Sequence, residues 1–418
     1  MTLPVEPTSQ PSQPSRRHLI AVGAAAAISA VAGYVIMVIT ARVLDVAQNA
    51  QFLVFWSLLF FCFGLLGGIQ NEATRAVRSV QGTRGAGVRP LPVALVMGAL
   101  LAIVVVVTQR LWATQWFPTT STAVVVAVSV SVVLFAGHSA LAGTLAGRGL
   151  WHTFAVLVSA ESLLRLALVS TAVLVGWRAG GLELGAAFAA GAWVLLCLVA
   201  PGARSSLSTR SDVGLRKFLS QSVQAMLATA ATAALLVGFP VLLRITSSTT
   251  EYAEAAPLLL AISFTRAPLM LAVNAFQGVA ITTFISRTER RGHLLIRLVA
   301  SLTVAGLIGA VLAGVAGPWL FETILGPAYR LEPVLLAVLM IASVLLATLT
   351  LTGALALALN RHRLYAAGWV AALVVSFLAL AVPGDLASRA QLSLVVGPVV
   401  GCLVHGVGIR RDLGKVPS

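Results

Sequence analysis

The hydrophobic and polar positions of this chain fall into long blocks, with no alternating pattern. Apolar windows lie near 19–40, 52–71, 91–108, 122–146, 153–176, 182–201, 218–243, 256–285, 296–320, 333–359, 364–382 and 390–409. A transmembrane helix needs roughly 20 consecutive apolar residues, so each window predicts one membrane-spanning helix. A membrane β-barrel would show segments of about ten residues alternating between apolar and polar. The expected fold class is therefore all-α, a polytopic membrane protein of about twelve transmembrane helices. Pro240 falls in the seventh window and Pro268 in the long eighth. Proline kinks or breaks a membrane helix where neighbouring groups satisfy the freed backbone.

The polar connections divide the chain. Residues 1–18 form a tail whose first part carries Pro4, Pro7, Pro11 and Pro14 among Ser, Thr and Gln, the composition of disorder. The stretch 202–217 joins two groups of six spans and reads as a linker between lobes at 19–201 and 218–409, with 410–418 as a second tail. A short internal echo supports two lobes. The first span of each ends at an arginine, Arg42 and Arg244, and the second span of each carries a glutamine, Gln70 and Gln277. Such offsets fit parallel repeats about an axis normal to the membrane. "SRRHLI" at 15–20 resembles a twin-arginine export signal, which leaves a cleaved leader as the alternative to an uncleaved first helix. The long apolar run and eleven further spans favour the uncleaved helix.

Composition sharpens this picture. At 59% of 418 residues, about 247 positions are apolar, and twelve spans at roughly 20 residues each consume nearly all of them. Only 10% of residues are charged, against about 25% in ordinary globular chains, and the mean hydropathy is +0.97. A soluble enzyme, a disordered regulator and a coiled coil are excluded. The net charge of +15 would point to nucleic acid in a soluble protein. Here it follows the bias of cytoplasmic loops towards Lys and Arg. One set of loops holds 20 of the 28 basic residues and the opposite set six, which puts both termini in the cytoplasm and the protein in the cytoplasmic membrane. Trp112, Trp116, Phe117, Trp177 and Trp319 suit an outer interface belt. Cys62, Cys197 and Cys402 lie inside apolar blocks at no redox or metal spacing and read as packing residues.

No motif reads as a nucleotide, metal or cofactor site, and no loop is large enough for an enzyme domain. The informative residues are charges inside spans, each costing at least about 2.5–3.5 kcal/mol if unpaired at the bilayer centre. Glu161, read as the only acid within a span, precedes Arg165 by four positions, the favourable order for a pair on one helix face. At 1.5 Å per residue, Arg165 lies roughly 18 Å into the fifth span and Arg266 roughly 15 Å below the outer end of the eighth. Midplane charges of this kind mark substrate sites in transporters built of repeats. Two readings of Glu161 and Arg165 stand side by side, a mutually neutral structural pair and a cavity-facing site. Arg266 has no acid within a helical turn, and its guanidinium fork suits phosphate oxygens. Arg42 and Arg244 are candidates for an outer gate or for loop anchors. Gln70, Asn274 and Gln277 are candidates for the cavity wall or for helix–helix hydrogen bonds. His138 either titrates during ion coupling or packs as a hydrogen-bonded histidine. "ALAGTLAGRG" at 140–149 carries small residues at close-packing spacing.

The stretch 36–75, with Arg42, Val43, Leu44, Gly64, Gly67, Gly68 and Gln70, resembles the start of polysaccharide-biosynthesis flippases of the multidrug/oligosaccharidyl-lipid/polysaccharide (MOP) exporter superfamily. "TLAGRGLWHTFAVLVSAESLLRLAL" (144–168) and "GPWLFETILGPAYR" (317–330) are similar to later passages of that family. The chain departs from it at Asn49-Ala50-Gln51-Phe52, where the family often shows a glycine and an aromatic. The resemblance implies a two-lobed bundle around a central cationic cavity working by alternating access. It further implies transport of an undecaprenyl- or decaprenyl-diphosphate-linked saccharide by a monomer, among membrane lipids and with other polysaccharide-assembly proteins as further partners. The headgroup would meet Arg266, Arg165 and Glu161. Three alternatives remain: a drug/cation antiporter of the same superfamily, which wants an acidic cavity; a major-facilitator carrier, whose signature is missing between spans two and three; and a membrane scaffold of a polysaccharide assembly complex.

Overall fold

The structure is a computed structural model describing residues 16–80, 86–286 and 291–413, with side chains throughout except at 271–272, 274–282, 285–286 and 411–413. Every regular element among them is helical. The first half comprises α1 (Arg16–Val43), α2 (Val46–Arg78), α3 (Pro90–Trp116), α4 (Ser121–Gly147), α5 (Trp151–Leu174), α6 (Ala179–Phe188), α7 (Ala192–Val199) and the short α8 (Pro201–Ser206). The second comprises α9 (Leu215–Leu236), α10 (Phe239–Ile245), α11 (Thr249–Ala253), α12 (Ala256–Ser286), α13 (Arg291–Leu325), α14 (Pro333–Ala358), α15 (His362–Leu380) and α16 (Leu386–Leu413). A 3-10 turn at Ala189–Gly191 joins α6 to α7, and together they make one passage. Eleven such passages are long and apolar enough to cross a membrane, and the 31-residue α12 makes the twelfth.

The two prolines act differently. Pro240 lacks the N–H that would bond the Leu236 carbonyl, and the seventh passage breaks there: α9 ends at Leu236, and α10 begins at Phe239. The helix of α12 runs on through Pro268.

Helix pairing repeats between the halves. In the first, α1 packs on α5, α2 and α3 on α4, and α6 on α4 and α5. In the second, α9 packs on α15, α12 and α13 on α14, and α16 on α14 and α15. The halves meet mainly where α2 lies along α9. Glycine makes that approach possible, because a Cβ on Gly68 would stand 2.4 Å from the Met226 nitrogen. The small residues of α4 serve the same end, since a Cβ on Gly143 would stand 2.4 Å from the Gln70 carbonyl oxygen. Gly68→Ala is therefore expected to force backbone apart and to cost about 1–3 kcal/mol. Gly67→Ala, with nothing within 4 Å of its Cβ, should be tolerated. Monodisperse yield on size-exclusion chromatography compares the two.

A large core binds the ends of α1, α2, α4, α12 and α14 on the side where α1 finishes, around Phe52, Phe55, Phe117, Phe239 and Leu260. Phe117 is thus fully buried and not part of an interface belt, whereas Trp177 and Trp319 are exposed at 60% and 65%. Their indoles lie open because a lipid-facing ring at a helix end needs no protein partner.

Candidate functional site

Between the two groups of spans lies a cavity of about 810 Å³. Its walls come from α1, α2, α4 and α5 on one side and from α9, α10, α12 and α15 on the other. On the side where α1 ends, the halves are tied across the cavity's end. Asn49 Nδ2 donates to the Tyr329 hydroxyl at 2.9 Å, and the Ser57 hydroxyl donates to the Val237 carbonyl at 2.7 Å. The cavity reaches the other way past Ser29, Ala30 and Gly33 of α1 and Gln70 of α2.

Arg266 projects into this space from α12. Its Nη1 donates to the carbonyls of Leu235 and Leu236 at 3.1 and 3.4 Å. Those carbonyls are free because α9 stops short of Pro240, so the helix break supplies the arginine's seat. The negative end of the α9 dipole also favours a cation there. The guanidinium lies 5.5 Å from the Phe239 ring centroid. Neither Nε nor Nη2 has a hydrogen-bond partner among the described residues, and no carboxylate there pairs with Arg266. The result is a half-buried cation on the cavity wall, with two donor nitrogens that no described residue engages.

Arg165 stands on the opposite wall and, unlike Arg266, is paired with an acid. Its Nη2 makes a short ion pair with Glu161 Oε1, and its Nε donates to the Ala186 carbonyl at 3.0 Å. Three rings of α2 surround its guanidinium, with the Phe60 centroid at 4.7 Å, Phe63 at 5.6 Å and Trp56 at 5.8 Å. Burial is nearly complete, at 5% exposure for Arg165 and 8% for Glu161. Glu161 and Arg165 thus both line the cavity and neutralise one another. The net charge of the pair is zero.

Gln70 and His138 also line the cavity. Arg42 and Arg244 do not, because each is drawn to free carbonyls beyond the closed end. Arg42 Nε, on α1, donates to the Ile324 carbonyl of α13 at 2.7 Å, and its Nη2 to that of Thr323. Arg244 Nη2, on α10, donates to the Gln115 carbonyl at the end of α3 at 2.8 Å. Each arginine therefore straps its own half to a helix C-terminus of the other. The side chains of Asn274 and Gln277 lie outside the described residues. Arg244→Ala should loosen the closed end, so that spin labels at Thr114 and Thr250 report a new, longer distance population.

Sequence reasoning passed over most of the cavity wall. Trp56, Phe60 and Phe63 recur at i, i+4 and i+7, one face of a helix, and that spacing was the available signal. Tyr34 and Tyr365 carried none. Glu161 is also not the only acid within a span. Glu183 lies in α6, fully buried, with the Thr120 hydroxyl as its polar neighbour and no cation paired with it among the described residues. It is not among the cavity-lining residues.

Comparison with known proteins gives relatives along the whole chain. The uncharacterized protein Rv1510 of Mycobacterium tuberculosis is 36% identical over 408 residues, covering 97% of this chain and 94% of that protein. The uncharacterized protein Rv3630 of the same organism is 33% identical, covering 93% of this chain and 91% of its own length. No family model matches the chain. Among solved structures, the fold is similar to the inward-facing conformation of a multidrug-resistance MATE family transporter of the MOP superfamily. The TM-score is 0.71 at 12% identity, covering 96% of this chain and 99% of that one. It is also similar to a MOP superfamily transporter from Pyrococcus furiosus, for which a reverse polarity of the binding pocket suggests a different function. There the TM-score is 0.67 at 14% identity, with 96% and 97% covered. The chain has the MATE-like transporter fold, as a bundle of about twelve transmembrane helices.

Proposed function

We propose that this chain, which belongs to the same protein family as Rv1510 and Rv3630 of Mycobacterium tuberculosis, is a transporter for a lipid-linked saccharide with an anionic polyprenyl-diphosphate headgroup. The observation that carries this reading is Arg266, a cation on the wall of an 810 Å³ cavity with no carboxylate partner, and no partner for Nε or Nη2, among the described residues. With Glu161 and Arg165 cancelling, the wall presents one net positive charge. An organic cation is repelled there, while a diphosphate gains a charge-assisted contact of the fork type. The rings of Trp56, Phe60 and Phe63 give an apolar face for sugar or lipid carbon beside it.

With the termini in the cytoplasm, as the loop charges predict, the cavity opens inward and the headgroup enters from the inner leaflet. The two six-helix lobes then rock against each other around the fixed site. The straps of Arg42 and Arg244 release, and the headgroup faces outward. Depletion of the protein should make a polyprenyl-diphosphate-linked saccharide accumulate, detected by mass spectrometry of extracted lipids. An unchanged lipid-linked pool on depletion would reject this substrate class.

The drug/cation antiporter reading has one observation in its favour, the likeness of the fold to multidrug MATE transporters. It needs an unpaired acid in the cavity, and Glu161 is paired.

A further inference from the structure

His138 of α4 lies on the cavity wall, 5% exposed. Its ring is held by stacking. The Phe135 centroid is 4.9 Å away at an interplanar angle of 8°, and Phe135 stacks in turn on Phe63 at 3.8 Å. Its Nδ1 has no hydrogen-bond partner among the described residues. A packing histidine would ordinarily be anchored through that nitrogen. His405 of α16 supplies the contrast, with Nδ1 2.9 Å from the Thr352 hydroxyl and Nε2 3.2 Å from the Tyr365 carbonyl.

Glu161 and Arg165 of α5 line the same cavity as His138, on its own side. The other helices at its level are α2, α3 and α7, with Gly98 of α3 against Ala136 and Trp193 of α7 against Gly137. They carry no charged residue over 46–71, 90–109 or 192–199. Across the cavity lies Arg266, and Tyr34 also lines it.

The geometry points to His138 as the proton site of this transporter: the imidazole takes up a proton when an anionic substrate enters the cavity, so that anion and proton are carried together. This deepens the anionic-headgroup reading and rests on it. In the empty cavity, an imidazolium would be a third cation beside Arg165 and Arg266, with Glu161 as the single balancing carboxylate. Water-poor surroundings make that excess costly. An arriving diphosphate supplies the missing negative charge. The proton comes from solvent and forms an N–H bond on the ring, and no other bond changes. Linkage then makes the effect mutual, the anion raising proton affinity by the same factor as the proton raises anion affinity. The stacked ring stays in place in both states, because α4 and Phe135 hold it.

Titration calorimetry of the purified full chain with farnesyl diphosphate tests this, run at pH 7 in two buffers of different ionisation enthalpy. Wild type should take up on the order of one proton more per bound anion than His138→Gln, and its affinity should fall up to about tenfold per pH unit across the histidine titration. In His138→Gln, and in His138→Asn should the first fold poorly, affinity should lose this pH dependence. Equal proton uptake in wild type and both variants would overturn the role of His138 while leaving the anion site standing. Failure of wild type to bind farnesyl diphosphate at any pH would instead reject the anionic reading, and this inference with it.

Discussion

Arg266→Ala should weaken farnesyl diphosphate binding by roughly 10- to 150-fold and abolish export of the proposed lipid-linked substrate. A hydrogen bond to a charged group contributes about 1.5–3 kcal/mol, and each 1.4 kcal/mol is about tenfold in affinity. Removing the side chain also leaves the Leu235 and Leu236 carbonyls without the donor they have now. Some loss of stability is therefore expected as well, and thermal unfolding read alongside binding separates the two effects. Arg266→Lys keeps the charge but loses the planar fork, so it should fall between wild type and alanine. Affinity unchanged in Arg266→Ala would mean that the free guanidinium edge is incidental.

The second large effect belongs to the other wall. Arg165→Met leaves the Glu161 carboxylate buried without its partner, and Glu161→Gln leaves the Arg165 charge uncompensated. Breaking a buried pair from one side costs about 3–5 kcal/mol, whereas replacing both members is far milder. Each single variant should yield little folded protein, while Glu161→Gln combined with Arg165→Met should recover much of it. The three rings around the Arg165 guanidinium add to the loss in the arginine variant. Equal yields of the single and double variants would show that the pair is not energetically coupled.

Much of the architecture was legible because a bilayer demands about 20 apolar residues per helix, and the twelve windows met that demand. The charges inside spans stood out for the same reason, since a charge in a span must serve packing or a site. What the sequence did not carry was partnership across the fold. The spacing of Glu161 and Arg165 pointed to a local pair, and the structure has it. Nothing local showed that Arg266 would sit on carbonyls released by Pro240, about 26 positions earlier. Arg42 and Arg244 stood out as an echo, but only the packing of α13 and α3 turns them outward onto helix ends. Glu183 escaped because a single acid among small apolar residues looks like a helix edge until neighbours enclose it. The aromatic face of α2 was readable in retrospect, though Trp56, Phe60 and Phe63 fit a packed core equally well by spacing alone.

The central claim is that an uncompensated arginine makes this cavity select anions. Equilibrium binding of farnesyl diphosphate and of the organic cation tetraphenylphosphonium to the same purified protein, with Arg266→Ala in parallel, tests it most directly. Saturable binding of the diphosphate, lost in the variant and not displaced by the cation, is the predicted result. Saturable binding of tetraphenylphosphonium alone, equal in both proteins, would contradict it.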